Sequence, residues 1–218
     1  KKVNDIKKRK KVPIIVGGTG LYFKSLIEGL VNIPNIPIKL REHVRTLHNN
    51  VGSKIFFSKL KKLDPLVKNQ INPNDTQRAI RAYEIKLFTN KSIYDWFKNT
   101  KSNYEKNDFY KIYIDYPRDK LIVNINNRVK KMMKLGAIDE VKKFIKLKVS
   151  KNMTSSKAIG LNEITDYLGK KIKMAELIDK ISIKTRQYAK RQATWGRGHM
   201  YGWNKFNHNS LNKFLKKI

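Results

Sequence analysis

Apolar positions recur along this chain with two different periods, and the switches between them divide it into segments. Ile14-Ile15-Val16 is an apolar run too short for a helix and bounded by Pro13 and Gly17, which predicts a buried strand over 12–16. Leu21, Ser25 and Leu26 then fall at helical spacing as far as Gly29, so the strand is predicted to pass through a glycine turn into a helix over 21–30. Residues 1–11 read as the basic end of a helix feeding that strand. The proline-punctuated segment Asn32-Ile33-Pro34-Asn35-Ile36-Pro37 marks a domain boundary. Helical patterns follow near 38–50, 52–62, 64–70 and 75–89, with no strand candidate before about residue 109, so this stretch reads as an all-helical insertion.

Phe109 to Tyr116 is rich in β-branched and aromatic residues and predicts a strand, which Pro117 ends while opening a helix. In that helix Ile122, Ile125, Val129 and Met132 form one apolar stripe, and Gly136 separates it from an amphipathic piece over Ala137 to Leu147. A polar loop over 150–157 leads to Ala158-Ile159-Gly160 and a short helix ending at Gly169. A last long helix over about 173–195 is expected to turn Met174, Leu177, Ile178, Ile181, Tyr188 and Trp195 toward the core.

Composition narrows the function. The 218 residues carry a formal net charge of +32, which points to a polyanionic partner, nucleic acid above all. An AT-rich genome enriches Lys, Asn and Ile together and accounts for part of that excess. Ten arginines stand against 39 lysines, so the arginines, several of them clustered, mark places where fork geometry matters. There are no cysteines, which excludes disulfides and cysteine-ligated zinc. His43, His48, His199 and His208 have no ligand spacing. No apolar run nears the ~20 residues of a membrane span, so the chain is expected to be soluble and cytoplasmic.

Three constellations carry chemistry. At the first turn, Gly17, Gly18 and Gly20 would let the backbone approach a ligand closely, and Thr19 adds a hydroxyl near a helix start that attracts phosphate; a purely steric turn reads equally well. In Asn72-Pro73-Asn74-Asp75-Thr76-Gln77-Arg78-Ala79-Ile80-Arg81, Asn74 is the expected helix cap, and Gln77 shares a face with Arg81 beside Arg78. An amide next to two guanidinium groups suits RNA phosphates and base edges, the alternative being a capped, solvated helix start. Arg128 sits at the edge of an apolar stripe and needs an anion, either a buried carboxylate or a phosphate. Cations such as Arg186, Arg191 and Arg197 cover several faces of the last helix, with Lys184 and Lys190 readable as solvated.

These residues resemble the bacterial tRNA dimethylallyltransferases nearly end to end: VPIIVGGTGLYFKSLIEGL, NPNDTQRAIRAYEI with SIYDW, RDKLIVNINNRVKKMMKLGAIDEVKKF, and KAIGLNEITDYL with TRQYAKRQATW, in the family's order. The resemblance implies a core similar to P-loop kinases, a helical insertion that grips the tRNA anticodon stem-loop, and transfer of a dimethylallyl group from dimethylallyl diphosphate to N6 of the adenine 3′ of the anticodon, with Mg²⁺. It places Thr19 in the reaction channel and Arg128 on the diphosphate as the catalytic pair. It places Thr19 again, with Arg41, the run Gln77, Arg78, Ala79, Ile80 and Arg81, and the loop Lys157, Ala158, Ile159, Gly160, Leu161 and Asn162, against tRNA. The family usually opens that loop with Gln or Arg and ends it with Tyr-Arg or Tyr-Lys, so Leu161 and Asn162 remove a ring and a cation from it.

One departure is larger. The family's GxxxxGK[ST] phosphate loop and the aspartate acting as general base have no counterpart in these residues, and the Mg²⁺ ligands go with them. A segment upstream of Lys1 is therefore expected, and the 218 residues alone are expected to be inactive. The resulting expectation is an α/β protein: an incomplete P-loop-kinase-like parallel-sheet core over 1–33 and 109–218, a helical tRNA-binding insertion over 34–108, acting as a monomer. The rival readings are a non-catalytic RNA-binding remnant of a split or decaying gene, and a small-molecule kinase, in which the Gln-Arg cluster would have no role.

Overall fold

The computed structural model describes residues 1–150 and 153–216, so Lys151 and Asn152 of the predicted polar loop lie outside the described residues. The chain divides into two compact units, Lys1–Gly20 with Tyr110–Ile218, and Leu21–Phe109. Residues 21–33, expected with the core, fall in the helical unit.

In the helical unit, α2 (Gly20–Glu28, its first residue belonging to the other unit) is followed by α3 (Ile38–Leu63), α4 (Thr76–Thr89) and α5 (Ile93–Lys98); α1 (Lys2–Lys8) belongs to the other unit. The break expected near residue 51 is a kink within α3 at Gly52, whose φ of 72° and ψ of 164° suit glycine alone. Past the kink, Phe56, Phe57 and Leu60 bury themselves with Val44, Val67, Ile71, Ala79 and Ala82, each large side chain contributing roughly 1.5–3 kcal/mol of transfer free energy. The pattern over 64–70 is one short 3-10 turn, Pro65–Val67, closed by the buried Asp64, whose carboxylate accepts the Leu66 N–H at 3.3 Å. Ser92 and Asp95 cap α5 reciprocally.

The other unit carries β1 (Ile112–Ile114), α6 (Arg118–Lys134), α7 (Ala137–Lys146), α8 (Leu161–Leu168), α9 (Met174–His199), β2 (Asn204–Phe206) and α10 (His208–Leu215). β1 and β2 pair in parallel, Ile112 opposite Asn204 and Ile114 opposite Phe206. Ile125 and Val129 of α6 meet Ile164 of α8 and Leu177 and Ile181 of α9 in its core. β2 and α10 were not predicted. The fold is mostly helical with a small parallel sheet, an incomplete α/β core plus helical insertion.

Two expectations fail here. Residues 12–16 are not a strand: Val12, Ile14 and Val16 are 76%, 76% and 86% exposed. Apolar character specifies a strand only through a neighbour that takes its backbone hydrogen bonds, and β1 and β2 pair only with each other among the described residues. Tyr188 does not face the core. It is exposed, with the Arg191 guanidinium 5.7 Å from its ring centroid.

Candidate functional site

The start of α4 differs by one residue from the expected cap. Asp75 is the N-cap and accepts the Arg78 N–H at 3.1 Å, while the Asn74 N–H donates to the Asn72 side chain at 2.9 Å. The Asn74 backbone N–H closes an Asx turn on Asn72, and the helix starts one residue later, capped by the Asp75 carboxylate. An open depression of about 520 Å³ is lined by Asn72, Asn74, Asp75, Thr76 and Gln77, all hydrogen-bonding side chains. Its floor is tied to the α3 kink, where Ser53 Oγ lies 3.3 Å from Thr76 Oγ1 and 3.1 Å from His48 Nε2.

Of the predicted run, Gln77 and Arg78 are exposed, Arg81 is half-buried and Ala79 is packed inside the helical core. The side chain of Ala79 thus holds α4 against α3 and is not available to a ligand; Ile80 packs partly against the same cluster. Arg78 pairs with Asp75 at 3.4 Å at the surface, and its charge also opposes the raised pKa that burial, with help from the Asp64 carboxylate, imposes on Tyr94.

Arg41 and Arg81, predicted separately, come together on one group. Arg41 Nε lies 3.8 Å and Arg81 Nη1 3.4 Å from the same oxygen, Oε2 of Glu84. The Glu84 side chain is 3% exposed, whereas those of Arg41 and Arg81 are 44% and 43% exposed. Its other oxygen, Oε1, is buried with no hydrogen-bond partner among the described residues. Sequence reading passed over Glu84, although a carboxylate between Tyr83 and Ile85, three residues after an arginine, is a legible sign.

The glycine turn and α9 belong to one unit, and the turn packs against that helix. A Cβ at Gly20 would collide with the indole of Trp195, and one at Gly18 with the side-chain amide of Gln192. Neither glycine has positive φ, so close approach, here to protein, is what requires them. The Trp195 ring stacks on His199 with centroids 4.4 Å apart and an interplanar angle of 4°. The Thr19 hydroxyl and the Arg128 guanidinium are exposed, and neither has a hydrogen bond or ion pair with another described residue. Of the two anions weighed for Arg128, a buried carboxylate is therefore absent among the described residues.

The loop 157–162 has a firm base and an open top. Lys157, Ala158, Ile159 and Asn162 are exposed, Leu161 is half-buried, and Gly160 is buried with φ of 101°, a conformation that favours glycine. Gly160 N–H donates to Glu163 Oε2 at 2.9 Å, and Lys184 of α9 pairs with Glu163 Oε1. Lys184, read as solvated, is thus a structural partner. Burial pushes the Glu163 pKa up, but the hydrogen bonds from Lys184 and from the Glu163 and Gly160 N–H groups outweigh it and leave the carboxyl below its ordinary value.

The described residues do not fit a Mg²⁺ site: no three His, Asp or Glu side chains converge on one point among them. Nor is any described helix long and apolar enough to cross a membrane.

Comparison with known proteins places the chain. A model of the IPP transferase family matches residues 1–199. The chain is 54% identical over 218 residues to the tRNA dimethylallyltransferase of Pelagibacter ubique, spanning all of this chain and 70% of that protein. It is 44% identical over 195 residues to the tRNA dimethylallyltransferase of Rickettsia massiliae, spanning 89% of this chain and 54% of the relative. Among solved structures it resembles a eukaryotic dimethylallyltransferase acting on tRNA, with TM-score 0.70 and 25% identity over 94% of this chain and 54% of that one. It also resembles a full-length tRNA isopentenylpyrophosphate transferase from Bacillus halodurans, with TM-score 0.56 and 33% identity over 94% and 63% of the respective chains.

Proposed function

The chain belongs to the IPP transferase family, and we propose that it serves transfer of a dimethylallyl group from dimethylallyl diphosphate to N6 of the adenine 3′ of a tRNA anticodon. In this reading the helical unit grips the anticodon stem-loop through Arg41, Gln77, Arg78 and Arg81, and the loop 157–162 adds contacts from the other unit. Bond formation between the adenine amine and the allylic carbon releases diphosphate with the electron pair of the broken C–O bond. Arg128, by pairing with that diphosphate, and Thr19, by donating its hydroxyl proton in a hydrogen bond, would stabilise the charge that develops on it. The proton lost by the amine needs a base outside the residues assigned here.

The observation that carries the reading is the meeting of Arg41 and Arg81, remote in sequence, at one buried carboxylate with their side chains still nearly half exposed. Such paired, accessible forks suit phosphodiester oxygens. Fluorescence anisotropy with a labelled anticodon stem-loop tests it. Binding should weaken steeply with salt, log K falling by roughly 0.7–0.9 per decade of salt for each phosphate contact. Equal affinity for an unrelated hairpin of the same length would overturn it.

A further inference from the structure

We propose that Glu84 is a positioning residue that sets Arg41 and Arg81 as one donor pair for RNA phosphate; this rests on the reading of the helical unit as an RNA grip. A buried carboxylate is a poor way to stabilise a helical core, since its desolvation is offset only when both oxygens are well paired. Here one oxygen receives both guanidinium groups and the other has no partner among the described residues. The arrangement makes better sense from the arginines outward.

Arg41 lies in the first turn of α3 and Arg81 in the second turn of α4, so each would otherwise sweep a wide arc of rotamers, and their like charges would drive them apart. Glu84 engages Nε of one and Nη1 of the other. Most N–H groups of both forks stay uncommitted, and the groups that carry them are held side by side at the surface. Arg81 and Glu84 are one helical turn apart on α4 while Arg41 comes from α3, so the carboxylate also fixes the register between the two helices that present the pair. A rigid pair loses less entropy on meeting a phosphate than two free side chains do.

The sign of one substitution separates this role from simple charge. Glu84→Gln removes a negative charge from a chain of net +32, so a diffuse field would bind RNA more tightly. Positioning predicts the reverse, a loss of roughly five- to thirtyfold in stem-loop affinity, the scale of coupling within one ion-pair network. The loss should vanish in the Arg41→Ala/Arg81→Ala background, which a merely structural effect of Glu84 would not do. If Glu84→Gln does not fold, as judged by circular dichroism, Arg41→Lys and Arg81→Lys carry the test at unchanged charge: each should weaken binding severalfold, and wild-type affinity in both would overturn the proposal. Unchanged or tighter binding by folded Glu84→Gln, while Arg41→Ala and Arg81→Ala weaken it, overturns the positioning role and leaves the RNA grip standing. Loss of stem-loop selectivity in the unaltered chain overturns both.

Discussion

Gly20, at the first position of α2, faces the Trp195 indole of α9 with no space for a methyl group between them. Gly20→Ala should therefore cost about 1–3 kcal/mol, the usual penalty for overfilling a packed site. Gly18→Ala should cost less, because the Gln192 amide that it meets ends a flexible side chain and can swing away. Urea denaturation of the two variants checks the order, and equal midpoints would mean that the indole yields as easily as the amide.

The buried Glu163 gives a pH dependence with a definite sign. Its pKa in the folded protein lies below the ordinary carboxylate value, so its contribution is complete above that value, near 4.3 in the unfolded chain, and is lost as pH falls through the folded value. Glu163→Gln should flatten the acid limb of the stability curve below about pH 4.5. Lys184→Met should cost roughly 1–3 kcal/mol at neutral pH by leaving one carboxylate oxygen short of its partner. Chemical denaturation from pH 3 to 7 measures both.

A contrast between arginines and lysines bears on the RNA reading. Replacing Gln77, Arg78 and Arg81 with Ala should weaken stem-loop binding more than replacing Lys142, Lys143 and Lys146 of α7, although the second set removes more charge. Arg78→Ala alone should reduce the salt slope by about one phosphate contact. Equal losses from the two sets would reduce the charge of +32 to a field without a site.

The helical unit was the more legible half, because its punctuation is local: Gly52 breaks α3, Asp64 and Pro65 end it, and Ser92 starts α5. Segments that depend on a distant partner were not. Residues 12–16 have strand composition but no strand beside them among the described residues, while Asn204–Phe206 becomes a strand because β1 offers it hydrogen bonds. Thr19, Arg81 and Arg128 were named from their local patterns and Arg41 from motif resemblance, but their surroundings were hidden. The approach of Arg41 to Glu84 and that of Lys184 to Glu163 join different helices, and no periodicity within one helix reports such a meeting.

The two arginine roles should separate in a protein able to turn over. With labelled dimethylallyl diphosphate as donor, Arg128→Ala should lower the single-turnover rate by about 10²- to 10³-fold, as for loss of one donor to a developing oxyanion, with stem-loop affinity little changed. Arg81→Ala should weaken binding and leave the rate of the bound complex intact. The contrast follows from their settings: Arg81 is held by Glu84 in the helical unit, whereas Arg128 stands exposed and unpaired among the described residues on α6, beside the buried Val129. An unpaired guanidinium is free to receive an anion without first breaking an ion pair. Filter binding paired with single-turnover kinetics decides it, and weakened binding with an unaltered bound-state rate in Arg128→Ala would remove Arg128 from the reaction.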